Sequence, residues 1–396
     1  MTSILWRKRL ALALPAVLAA CLLWTVWLLP TGAQARPVDE PARLLALAQD
    51  LAANREVLTT VDQATGELSP LGAGLDGCCT TNVLDAALDA AGGRYYAVMA
   101  RDGESALRVM AFDTQTGQAT YSPPLTDTPV INYLAYDPPS GQLLALSFIT
   151  DTLAAQVVRL DPITGAATTL NTLPNCCNPQ SFDAAYDPAA RRLYAAVTFY
   201  AGTADTHLLT ISGADGSLLA APPLSGSLAA NHMAYDSSSD TLWAVAYDAA
   251  ADAERLARID PLTGALTPLG DGIAACCARL VTDAGVDGAA GVLVVPMIDT
   301  RGPNAEHSAA FFRYRLADGS LLGSPPVDTR FQLHYIAFDA PLAAEPTGTA
   351  TPTPTATGTP TVTPTSTVTP TPTITPTPLP PRLYLPAVEG SPHQGS

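Results

Sequence analysis

Six glycines, Gly66, Gly117, Gly165, Gly216, Gly264 and Gly319, recur about every 50 residues, each in a turn between two short apolar runs. A period of this length constrains the fold more than any other feature of the chain. One such unit cannot bury a core alone, so the units must stack on one another.

Two alternating phrases fill residues 44 to 339. One is Asp-Pro-x-Thr-Gly-x-x-Thr-x-Leu, clearest at Asp161 to Leu170 and Asp260 to Leu269. The other is Ala-Tyr-Asp-Pro followed by a small turn and an apolar run, clearest from Ala135, Ala185 and Ala234. Each phrase reads as strand, tight turn, strand, with glycine supplying positive φ and aspartate capping its own turn. Four short strands per unit, six units and no amphipathic helix between them predict an all-β fold, a six-bladed β-propeller.

A cysteine pair and a diproline alternate from unit to unit. The pairs are Cys78-Cys79, Cys176-Cys177 and Cys276-Cys277; the diprolines are Pro123-Pro124, Pro222-Pro223 and Pro325-Pro326. The repeat duplicated most recently is therefore a pair of blades, present three times. The ends predict how the ring closes. Leu44 to Asp62 matches Leu143 to Asp161, the second and third strands of a blade, and the missing first strand is His334 to Asp339. One blade completed from both termini removes exposed sheet edges.

Residues 1–35 read as a signal peptide. Arg7, Lys8 and Arg9 precede an apolar run from Leu10 to Pro30 and an Ala33-Gln34-Ala35 cleavage site. Two alternatives stand beside cleavage. The run is long enough for a retained membrane anchor, and Leu18 to Cys21 resembles a lipoprotein box. The propeller then occupies 36–345, a Thr/Pro-rich linker 346–381 and a short tail 382–396. The linker composition favours a disordered, extended chain of roughly 3.1 Å per residue, suited to a spacer at a cell surface.

Formal charge is −16, and Lys8 is the only lysine. Loss of Arg7, Lys8 and Arg9 with the leader makes the mature chain more acidic still, which excludes nucleic acid and acidic lipid as expected partners. Six of the seven cysteines sit in the three pairs. An even count in an exported chain points to disulfides.

The phrases AYDPxxGxLYA and LxxIDPxTGxLTPLG resemble exported bacterial β-propellers of the YVTN and quinoprotein-dehydrogenase-like kind, over about residues 44–339. The resemblance implies the fold and no particular chemistry, because this fold hosts lyases, lactonases, dehydrogenases and binding platforms alike. The Glu and Asn ligand set of calcium-dependent lactonase propellers and the tryptophan docking motifs of quinone-dependent ones are absent from this chain.

Alignment of the inner strands places Asp85, Tyr133, Asp183, His232, Asp283 and Tyr335 at one level of the central channel. Asp85, Asp183 and Asp283 are candidate ligands for Ca2+ or another cation, with Tyr133, His232 and Tyr335 lining the channel between them. The competing reading is that each aspartate accepts N–H bonds from its own incoming loop, and repetition of structure favours it. Alternate blades are too far apart for their cysteines to bridge, so Cys78 with Cys79, Cys176 with Cys177 and Cys276 with Cys277 are each expected as a vicinal disulfide. The pairs mark the incoming-loop face as the place for a site. His207 and His307, with Asp205 and Glu306 close by, read as solvated loops. Asp89, Asp137, Asp187, Asp236, Asp287 and Asp339 read as turn formers.

No nucleophile elbow, HExxH or phosphate loop occurs. The expectation is a secreted or envelope-associated, monomeric, non-catalytic binding module for a protein or glycan at the cell surface. The alternative is an enzyme of lyase, lactonase or dehydrogenase type with a cation at the channel mouth.

Overall fold

The computed structural model describes residues 42–76, 78–101, 103–104, 106–125, 130–149, 154–174, 176, 178–198, 206–224, 228–279, 283–301 and 308–339. Within these, the side chains of 76, 78–84, 130, 148, 178–182, 278–279 and 308 are not described. The expected leader, linker and tail lie outside the described residues.

The described residues form six antiparallel sheets and no helix. Blade 1 runs inside to outside as Cys78–Asp89, Arg94–Arg101, Leu107–Asp113 and Ala119–Tyr121. Blade 2 is Val130–Asp137, Gln142–Ile149, Ala154–Leu160 and Ala167–Leu173. Blade 3 is Asn178–Asp187, Arg192–Thr198, Thr206–Ser212 and Leu218–Ala220. Blade 4 is Leu228–Asp236, Thr241–Asp248, Ala253–Ile259 and Leu266–Ala274. In blade 5 the inner strand is split into Ala278–Arg279 and Gly285–Asp287, followed by Val292–Asp299, Ser308–Arg315 and Leu321–Gly323.

Blade 6 closes the ring. Its inner strand Phe331–Asp339 pairs antiparallel with Arg43–Asp50, with Leu45 opposite Ala337 and Leu47 opposite Tyr335. Arg55–Val61 and Leu68–Pro70 complete it, and Leu75–Asp76 extends it. Ion pairs Arg43–Asp339 and Arg330–Asp50 fasten the two ends of this strand pair. The two-termini closure and the six-bladed propeller are both present.

Packing follows from strand alternation. One face of each blade carries its apolar residues to the previous blade and the other face to the next. Six buried apolar clusters result, one at each interface: Leu45 and Leu58 meet Met110 and Phe112 between blades 6 and 1, and Val294 and Phe311 meet Leu44 and Val57 between blades 5 and 6. A ring with a core at every junction has no open end.

The turn glycines and the diprolines explain one another. Gly66 has φ +78°, and a Cβ there would stand 2.0 Å from the carbonyl oxygen of Pro326 in the preceding blade. Gly264, at φ +71°, meets Pro223 in the same way at 2.2 Å. The turn needs a left-handed residue, and the neighbouring blade leaves no room for a side chain. Glycine satisfies both.

Candidate functional site

The innermost strand is the edge strand of each blade, so its axis-facing N–H groups have no ladder partner. Buried N–H groups require acceptors. Asp85 Oδ1 accepts the N–H of Ala86 at 2.7 Å, and Oδ2 accepts that of Leu134 in blade 2 at 2.5 Å. Asp183 repeats the arrangement with Ala184 at 2.7 Å and Met233 of blade 4 at 2.9 Å. Each carboxylate therefore ties its own strand to the next blade. Acceptance of backbone N–H groups, the role anticipated from the sequence, extends across the blade gap to Leu134 and Met233.

Asp283, just before Gly285–Asp287 of the blade 5 inner strand, is partly exposed, whereas Asp85 and Asp183 are buried. It shares a side-chain hydrogen bond with Asp85. Burial lifts the Asp85 carboxyl well above the usual carboxylate range; the Ala86 N–H opposes this and nearby Asp183 adds to it.

Tyr133, His232 and Tyr335 reach the expected level but are buried between the blades, His232 completely. His232 Nδ1 lies 4.0 Å from Asp183 Oδ2. Burial raises the Tyr335 phenol well above its ordinary value, and Asp85, Asp283 and Asp183 raise it further. Tyr95 is raised in the same manner, by burial and then by Asp283 and Asp85.

Calcium takes about six to eight oxygen ligands, and the oxygens of Asp85 and Asp183 are already engaged by backbone N–H groups. Among the described residues, no group of three or more His, Cys, Asp or Glu is arranged to hold a metal ion.

An open cavity of about 290 Å³ begins where this layer ends. It is lined by the residues that follow the aspartates towards the turns, among them Ala86, Ala184, Met233 and Phe338, with Tyr95 and Asp283. A second cavity of about 250 Å³ shares Ala87, Leu88, Ala184 and Tyr186 with it and extends below blades 1 to 3 to Asp89 and Tyr136. All six blades contribute to this one basin. Its lining holds two carboxylates, Asp89 and Asp283, and no Arg, Lys or His. The cysteine pairs begin the same inner strands, so the basin opens at the opposite end from the face they mark.

Cys176 packs in the core between blades 2 and 3 and Cys276 in the core between blades 4 and 5, which keeps them apart. The sulfur atoms of Cys276 and Cys277 are in contact, with a cis peptide bond between the residues. Cys276 Sγ lies 4.0 Å from Asp299 Oδ1. The side chains of Cys78, Cys79 and Cys177 are outside the described residues, as are Asp205, Glu306 and His307. His207 Nδ1 is 3.0 Å from the Ala221 carbonyl oxygen, an outer-strand contact.

The turn aspartates cap their turns: Asp187 accepts from Ala189 and Ala190, and Asp236 from Ser238. They also do something the repeat did not reveal. Tyr186 of blade 3 donates to Asp137 of blade 2 at 2.8 Å, and Arg191 Nη2 reaches the same carboxylate at 2.6 Å. Tyr136 meets Asp89 of blade 1 in the same sense, whereas Tyr235 donates to Asp240 of its own blade at 2.6 Å. The tyrosine of Ala-Tyr-Asp thus reaches the turn of the preceding blade at two junctions.

The inner strands of blades 2, 4 and 6 each contain one extra residue, Asn132, Asn231 and His334, between ladder pairs. Such bulges re-aim side chains. Asn231 Nδ2 donates to Glu254 at 3.1 Å, and His334 Nε2 lies 3.3 Å from Glu56 Oε1. Both glutamates are buried. The third copy has Asn132 but Ala155 where the others carry glutamate.

No family model matches the chain, and no curated protein does. Among solved structures, it is similar to TolB from Acinetobacter baumannii, with TM-score 0.53 and 12% identity over 75% of this chain and 66% of that one. It is also similar to a chain of a nidogen/laminin complex, with TM-score 0.50 and 14% identity over 76% and 99%. A quinonprotein alcohol dehydrogenase-like protein from Bacteroides thetaiotaomicron aligns at TM-score 0.45 and 12% identity over 75% and 78%. Identities this low speak to the fold alone.

Proposed function

We propose that the chain is an exported, cell-surface-associated binding module that takes its ligand in the basin at the turn end of the ring. The basin carries this reading. It is built by the inner strands of all six blades, and its walls are alanine, leucine, proline and tyrosine with few polar groups, the usual make-up of a ligand site. Ile163 and Leu262 support a contact role for the same end. They sit on turns between third and fourth strands, 81% and 80% exposed. Export rests on the leader sequence and on the acidic, nearly lysine-free composition. The cation-assisted enzyme draws no support from Asp85 and Asp183, whose oxygens serve the backbone.

Filling the basin tests the reading. Ala184 lines both cavities, so Ala184→Trp should abolish binding to surface glycans or proteins captured by the native chain on arrays, while leaving the folded state intact. Unchanged capture by a folded Ala184→Trp protein would place binding elsewhere. Protease accessibility of the tagged chain on intact cells should show it outside; a protected, intracellular chain would overturn export.

A further inference from the structure

We infer that the basin takes an ammonium group on an apolar stem, the stem lying on the alanine wall and the nitrogen meeting Asp283. This rests on the binding-module reading of the same basin and adds the chemical class of the ligand.

Four observations converge on that class. The lining contains carboxylates and no positive side chain, so a cation meets no repulsion there. Asp283 is the one of the three equivalent aspartates that lines the basin. A volume of about 290 Å³ lies at the small end for ligand sites, room for a compact amine. The apolar contacts come from Ala86, Met233 and Phe338, and Tyr95 flanks the carboxyl. The formal charge of −16 adds a long-range field that favours cations over anions.

The test is ligand-observed NMR on the full mature chain, with benzylamine and its neutral isostere benzyl alcohol as probes. Native protein, Asp283→Asn and Ala184→Trp are compared, each first shown to be folded by circular dichroism. Preferential benzylamine binding that weakens roughly tenfold or more in Asp283→Asn and disappears in Ala184→Trp is the expected result. Equal binding of both probes, lost in Ala184→Trp but untouched by Asp283→Asn, overturns the cation inference and leaves the basin standing. Binding of neither probe to native protein overturns the cation inference too. Signals indifferent to both substitutions show that the basin is not the site, and both readings then fail.

Discussion

Glu56 and His334 come from opposite ends of the chain and meet inside the closing blade, with Oε1 3.3 Å from Nε2. Burial pushes the Glu56 carboxyl up to about 8 and the His334 imidazole down to about 4, so near neutrality both are uncharged. Among the described residues, no hydrogen-bond partner satisfies either Glu56 oxygen or His334 Nε2.

The pair gives stability a pH dependence whose sign can be worked out. Glu56 titrates higher in the folded state than in the unfolded chain, so its contribution is greatest below about 4.5 and is lost as pH rises towards 8. His334 titrates lower when folded, so its contribution is present above about 6.5 and is lost as pH falls towards 4. Glu254, raised to about 7 by burial, acts in the sense of Glu56. Between pH 7 and 8 Glu56 dominates, and urea unfolding should show stability falling by on the order of 1 kcal/mol. Glu56→Gln should flatten that decline. A slope unaltered by Glu56→Gln would mean the carboxyl is not buried in protonated form.

The carboxylate staple between blades 3 and 4 predicts a graded response. Asp183→Ala leaves the N–H groups of Ala184 and Met233 without acceptors, and should cost about 1–3 kcal/mol in unfolding free energy. Asp183→Asn keeps one acceptor oxygen and should cost less. Equal and negligible losses in both would remove the staple from the account.

Tyr186→Phe deletes the hydroxyl that reaches Asp137 and nothing else. Arg191 still holds that carboxylate, so the expected loss is about 0.5–1.5 kcal/mol by chemical denaturation. A larger loss would show that the phenol, not the arginine, secures the junction.

The cysteines should never link distant blades. Peptide mapping of unreduced protein should yield no peptide joining the Cys176 region to the Cys276 region, because the two lie in separate cores. A cross-linked species would contradict the blade assignment.

Much of the architecture could be read before any coordinates. The spacing of Gly66 to Gly319 set the blade number, and the match of Leu44 to Asp62 with Leu143 to Asp161 exposed the closure. Periodic features show well in sequence because each copy repeats the same steric demand, as at Gly66 and Gly264 against the diprolines. The site was less legible because it depends on how copies differ. Asp283 aligns with Asp85 and Asp183, yet it alone of the three lines the basin. Asn132, Asn231 and His334 align equally well, and only their partners, Ala155, Glu254 and Glu56, tell them apart. The basin itself is made by short alanine-rich stretches that carry no motif.

Everything at the turn-end basin depends on the ring being closed by both termini, since Ile336, Ala337 and Phe338 of the last strand form part of its wall. Native-state hydrogen exchange tests that closure directly. Amides of Arg43–Asp50 and Phe331–Asp339 should be protected as strongly as those of the inner strand Val130–Asp137, and removing residues from 331 onward should deprotect Arg43–Asp50 as well. Rapid exchange throughout Phe331–Asp339 in an otherwise protected chain would contradict the closed ring and the basin built on it.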